Sequence, residues 1–198
     1  MGLGLVLPAL AYVWSHDSFR IHSGLRTGAA LAMVHVSPPA EEPFPDVELA
    51  QLTPQRAKVI QLLQSEYAKH PVSFDQSVLT YTQGNKEAWC ADFVSWTMRQ
   101  VGTPLTNPHS GGWRIPGVYT LQEYFQAHGR YAVAGDYLPQ PGDAAFFITG
   151  NSSHVSFVVK VEGGNMVTLG GNEGGRMRLS THAVIKGEGG LTGFGKGY

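Results

Sequence analysis

Apolar positions recur at helical spacing through the middle of the chain and at strand spacing towards its end. Thr53-Pro54 supplies a capping residue and a first-turn proline, after which Ile60, Leu63 and Tyr67 fall on one face and His70-Pro71 stops the run. A second helix is predicted from about Ala88 or Trp89, with Phe93, Val94, Trp96, Met98 and Val101 as its buried stripe and Gly102 just past its end. A third, Thr120 to His128, opens on the capping box Thr120-x-x-Glu123 and closes at Gly129. From Pro141 onward the texture changes. "AAFFIT" (144–149), "HVSFVVKV" (154–161), "NMVTLG" (165–170) and "RMRLS" (176–180) are short β-branched or aromatic segments divided by glycine and asparagine turns. They predict an antiparallel meander. Helices followed by strands give an α+β domain, its N-terminal helices packed on one side of an antiparallel sheet.

Ahead of the helices, "SPPAEEPFP" (37–45) suits an extended chain, so residues 37–51 read as a proline-rich linker and 52–198 as the folded domain. The first 36 residues are apolar. Gly2 to Trp14 is an uncharged run interrupted by Pro8; it resembles the apolar region of an export signal, although neither lysine nor arginine precedes it. Thirteen residues span a bilayer poorly. A second stretch, "GAALAMVHV" (28–36), reads as part of a broken anchor or as an ordinary buried segment. The expectation is a signal or membrane anchor, hence a periplasmic, secreted or membrane-anchored protein.

Composition narrows the function. With 198 residues, 42% of them hydrophobic, the chain has enough material for one domain with a core. A formal net charge of -1 provides no field that would draw it to nucleic acid, so no nucleic-acid partner is expected. The single cysteine, Cys90, excludes an intrachain disulfide.

Cys90 falls in the first turn of the second predicted helix, where unpaired backbone N–H groups and the helix dipole stabilise a thiolate and can also hold an oxyanion. Beside Trp89 and Phe93 this segment taken alone favours a small buried hydrophobe. A nucleophilic thiol needs a base held by a third polar group. Of the eight histidines, His154 stands apart because it follows the turn "TGNSS" and opens an apolar strand. The neighbouring strand ends in Asn172 and Glu173, and antiparallel pairing brings the end of one strand beside the start of the other. Either residue can accept from the imidazole. No metal site is expected, since the histidines lack i, i+4 pairing and Cys90 has no C-x-x-C partner; no cofactor is expected either.

In this order, "WCADFVSW" (89–96), "PGDAAFF" (141–147), "HVSFVV" (154–159) and "LGGN" (169–172) resemble the CHAP family, the cysteine, histidine-dependent amidohydrolases/peptidases of the papain-like group. The resemblance covers roughly Pro54 to the C-terminus and implies a papain-like CHAP fold. It makes Cys90 the nucleophile, His154 the general base and Asn172 the orienting residue, with Glu173 as the fallback and Trp89 and Asp92 as support beside the nucleophile. Two departures stand out. Many members carry glutamate where this chain has Gly170, which resembles a Gly-Gly-Asn subset, and "HVG" is here "HVS", with Ser156 expected to face away from Cys90 or to be tolerated as a small residue. The implied activity is cleavage of peptidoglycan amide bonds through an acyl-thioester, with peptidoglycan or its fragments as partner. A thiol acyltransferase or small-amide hydrolase on the same fold, and a non-catalytic cell-wall-binding module, are the alternatives.

Overall fold

The structure, a computed structural model, describes residues 42–197. The apolar segment at 1–36 and the start of the predicted linker lie outside the described residues. Phe44, Val47 and Leu49, in the rest of that linker, pack against the core, and the Tyr67 hydroxyl donates to the Glu42 carbonyl at 2.6 Å. No described helix is long and apolar enough to cross a membrane.

Helix α1 runs Pro54–Tyr67, with Thr53 Oγ1 accepting from Arg56 N at 3.3 Å and Val59, Ile60 and Leu63 buried. The sequence pattern gives no sign of α2, Gln76–Tyr81, a six-residue helix whose cap Asp75 accepts from Val78 N at 3.0 Å. Helix α3 is Cys90–Gln100, and Gly102 follows it at φ 87°. Helix α4, Val118–Ala127, begins two residues before the predicted start, with Gly117 as its cap. The capping box is not made: no side chain caps this helix, and Glu123 instead pairs with His109 Nε2 at 2.8 Å. Burial of Val118 with Leu121 and Phe125 extends the apolar stripe backwards and carries the helix with it.

Strands β1 (Tyr131–Val133), β2 (Ala144–Thr149), β3 (Ser152–Glu162), β4 (Asn165–Glu173), β5 (Arg176–Ala183) and β6 (Leu191–Gly195) form one antiparallel sheet in the order β1-β6-β2-β3-β4-β5. The meander β2 to β5 is the predicted one. Strand β6 adds to it by returning between β1 and β2. Its glycines hide it from a strand pattern, yet they are what fits: a Cβ on Gly193 would lie 2.4 Å from the Ala132 carbonyl, and one on Gly195 2.5 Å from the Phe125 ring.

The helices cover one face of the sheet, packing on Phe146, Val155, Phe157, Val159 and Leu169. On the other face Ala145, Phe147, Val158, Met166 and Phe194 form a smaller cluster with Ala134 and Tyr137. At the helical side, Tyr81 meets Trp96 at a ring separation of 4.7 Å and Phe93 at 5.2 Å, while Phe93 meets Phe157 at 6.1 Å. Each such aromatic contributes roughly 1.5–3 kcal/mol by burial, so α2, α3 and β3 are fixed together immediately behind Cys90.

Candidate active site

Cys90 is the first residue of α3, which packs across β3 and β4. The helix is entered through Trp89, which is fully buried and aromatic on both sides, against Tyr81 and Phe93. This packing sets where the thiol stands, and the N–H groups of the first turn surround it. His154 lies near the start of β3. Its Nε2 is 2.9 Å from Ser156 Oγ and 3.2 Å from Glu173 Oε1, and the Cys90 side chain is near enough to raise its proton affinity. About a quarter of the His154 side chain, 26%, is accessible, so a ligand can reach the ring.

Asn172 does not face His154. Its Oδ1 accepts from Ser73 Oγ at 3.4 Å, and Ser73 Oγ in turn accepts from Trp89 Nε1 at 3.2 Å. The cause is a β-bulge: Gly170 pairs with Arg178 and Glu173 with Arg176, so β4 spends one more residue than β5 over this stretch. The extra residue, with Asn172 in the left-handed region at φ 62°, reverses the alternation of side chains. Glu173, not Asn172, therefore emerges on the face of Gly170, His154 and Ser156. A Cβ built on Gly170 would lie 2.1 Å from Glu173 Oε1, which means that the carboxylate occupies the space where a side chain at 170 would begin.

Burial alone would lower the His154 pKa; hydrogen bonds with Cys90 and Glu173 and their negative charges outweigh it and raise it to about 9. Burial would likewise raise the Glu173 carboxyl, but hydrogen bonds with His154 and Ser180, the His154 charge and the Ser156 hydroxyl bring it below the ordinary value. Ser180 Oγ donates to Glu173 Oε2 at 2.7 Å. Ser180 and Ser73 were not legible as site residues. Only the register of β4 on β5 and a long-range contact of the 71–75 loop bring them in, the latter secured by Ser73 N donating to the Gly175 carbonyl at 2.6 Å.

Asp92 is wholly buried on the first turn of α3, with Arg114 Nε 2.7 Å from its Oδ1; Arg114 also pairs with Glu87. Burial pushes the Asp92 carboxyl up to about 7, and despite the close approach of Arg114 neither carboxylate oxygen makes a hydrogen bond of good geometry. The loop carrying Arg114 is thus tied to the helix that begins at Cys90. That loop lines a cavity of about 450 Å³ with Asn107, Ser110, Trp113 and Pro116. A second cavity, about 260 Å³, opens beside His154 and Glu173 and is bordered by Phe147, Thr149 and His182. Among the described residues no group of three or more His, Cys, Asp or Glu side chains could hold a metal ion.

A helix that begins at a cysteine, a strand-borne histidine near it, and a glycine-rich strand end beside that histidine all fall in or next to one matched region: residues 81–172 match the family model for the CHAP domain. The chain carries a CHAP domain. The matched region contains Cys90, His154 and Asn172 and ends one residue before Glu173. CHAP domains are in general amidohydrolases or peptidases directed at peptidoglycan. The four helices and six-stranded antiparallel sheet described above are the α+β, papain-like architecture of such a domain. Among solved structures, the crystal structure of Ly7917 aligns with a TM-score of 0.46 at 14% identity, over 70% of this chain and 61% of that one. No curated protein matches.

Proposed function

We propose that this CHAP domain is a cysteine hydrolase that cleaves amide bonds of peptidoglycan, between sugar and stem peptide or within the peptide, through an acyl-thioester on Cys90. The observation that carries this reading is the ring of His154, which pairs with Glu173 at 3.2 Å and has the Cys90 side chain near enough to raise its proton affinity. Since Nε2 is committed to Glu173 and Ser156, Nδ1 is the nitrogen that serves the thiol. His154 takes the thiol proton, and the thiolate attacks the carbonyl carbon. The oxyanion that forms is stabilised by N–H groups at the start of α3. As the C–N bond breaks, imidazolium gives its proton to the departing amine. Water, deprotonated by the now neutral ring, then attacks the thioester and releases the acid and the free thiol. Glu173 orients the ring and stabilises its charged form. Asn172 supports the site indirectly, through Ser73 and Trp89.

The test is digestion of purified cell wall by the wild-type protein and by Cys90→Ala in parallel, with mass analysis of the soluble fragments. Release of amide-cleaved fragments by the wild type alone is the expected result, and the fragment masses identify the bond. Intact wall together with turnover of a small amide would assign a small-amide hydrolase or acyltransferase instead. A wall that is bound by both proteins and cut by neither would mark a binding module.

A further inference from the structure

The carboxylate of Glu173 reaches His154 from a strand end beside a turn, a place where a glutamate side chain has many rotamers to lose. Three features hold it in one. Ser180 Oγ donates to Oε2 at 2.7 Å, Ser156 Oγ stands 3.3 Å from Oε1, and Gly170 provides the volume in which the carboxylate sits. The would-be Cβ of Gly170 lies 2.1 Å from Glu173 Oε1, 2.8 Å from His154 Nε2 and 2.8 Å from Ser156 Oγ, so one added carbon would collide with all three members of the network. Gly170 does not carry a positive φ, and its lack of a side chain is therefore explained by space and not by backbone conformation.

The Ser156 hydroxyl has a second consequence. It is 2.9 Å from His154 Nε2, closer than the carboxylate at 3.2 Å, and a hydroxyl can donate to the ring or accept from it. If it donated to Nε2, the neutral ring would carry its proton on Nδ1, facing Cys90, and could take no proton from the thiol. An ionised Glu173 removes this choice, because its Oε1 draws the single Ser156 proton and obliges the serine to accept from Nε2–H.

We propose that Ser156, Ser180 and Gly170 are positioning residues for His154: the two hydroxyls and the glycine space seat the Glu173 carboxylate, and Ser156 passes its influence to Nε2 as the choice of tautomer. The inference rests on the Cys90–His154–Glu173 reading above. The titratable groups facing His154 are Cys90 from α3, Glu173 from β4 and His182 from β5, with the Phe147 ring of β2 tilted against that of His182 at 4.5 Å.

The experiment follows the His154 ring by nuclear magnetic resonance in the full chain, with ¹⁵N-labelled histidine and His154→Gln to assign the signal. Wild type is expected to titrate well above an ordinary histidine and to hold the neutral-ring proton on Nε2. Ser180→Ala and Gly170→Ala should each lower the midpoint by about one pH unit, a tenfold loss of proton affinity. Glu173→Gln should free the Ser156 hydroxyl to donate to Nε2 and so mix the tautomers, a mixing that adding Ser156→Ala should remove, and Ser180→Thr, which keeps the hydroxyl, should restore the wild-type midpoint. A midpoint unchanged in Ser180→Ala and Gly170→Ala, and tautomers unchanged by adding Ser156→Ala, while Glu173→Gln lowers the midpoint, would overturn the inference and leave the Glu173 pairing intact. A midpoint that Glu173→Gln also fails to move would overturn the pairing itself. Because the readout is the ring and not wall cleavage, the substrate assignment is tested separately.

Discussion

At the scale of the residue, the site depends on how strongly His154 holds its proton, and this has a consequence for stability. Its folded pKa of about 9 stands above the unfolded value of about 6.5, so the folded state binds the proton more tightly. The associated stabilisation is complete below the unfolded pKa, shrinks as the pH rises through the window between the two values, and is gone above about 9. Integrated, it amounts to roughly 3 kcal/mol at most. The difference in melting temperature between wild type and His154→Gln should accordingly be largest near pH 6 and narrow progressively to pH 10; a difference independent of pH would mean that the ring gains no proton affinity on folding. In the proposed mechanism the proton on His154 is the one given to the leaving amine, so activity is expected to fall as the pH rises through about 9.

At the scale of the element, what places Cys90 is the close approach of α3 to β4. A Cβ on Gly171 would lie 2.4 Å from Trp89 Cζ3 and 3.3 Å from Phe93 Cβ, at the base of the helix that begins with Cys90. Gly171→Ala should therefore push α3 off the sheet, costing about 1–3 kcal/mol in urea unfolding and slowing iodoacetamide labelling of the chain's sole thiol. Gly150→Ala, with nothing within 4 Å, should change stability by no more than about 0.5 kcal/mol, and equal effects at the two sites would discount the contact. The elements with long, regular patterns were legible in the sequence: α1 and α3 from their apolar stripes, and β2 to β5 from β-branched runs between turns. Short or glycine-rich pieces were not. Helix α2 has six residues and β1 three, too few for a period to show, and the glycines of β6 answer to neighbouring backbone and rings. Within the site, Cys90 and His154 stood out because each lies at or near the start of an element. The choice between Asn172 and Glu173 was hidden, because a bulge is a property of two paired strands, and one added residue exchanges which side chain faces the ring.

At the scale of the whole molecule, the described residues close around Asp143, which follows Pro141-Gly142 just before β2. Its Oδ2 accepts from Gln140 N at 2.8 Å, and the same carboxylate also takes the Tyr137 hydroxyl at 2.9 Å, Arg56 Nη2 of α1 at 2.8 Å and Gly197 N at 2.7 Å. One wholly buried side chain thereby joins the first long helix, the loop into the sheet and the residues after β6, while its carbonyl accepts from Val158 N in the strand that carries His154. A buried charge with four donors is favourable only while all of them remain. Asp143→Ala strips the partner from Arg56, which is itself buried, and should destabilise the domain by about 3–5 kcal/mol. Asp143→Asn keeps the shape but loses the charge and reverses one oxygen into a donor, so it should fall between that variant and wild type. Paired replacement of Arg56 and Asp143 by Met and Leu should recover part of the loss, because no lone charge is then left inside. Denaturant unfolding of the four proteins checks this, and an Asp143→Ala protein as stable as wild type would show that the helix, loop and C-terminal strand hold together without the carboxylate at their junction.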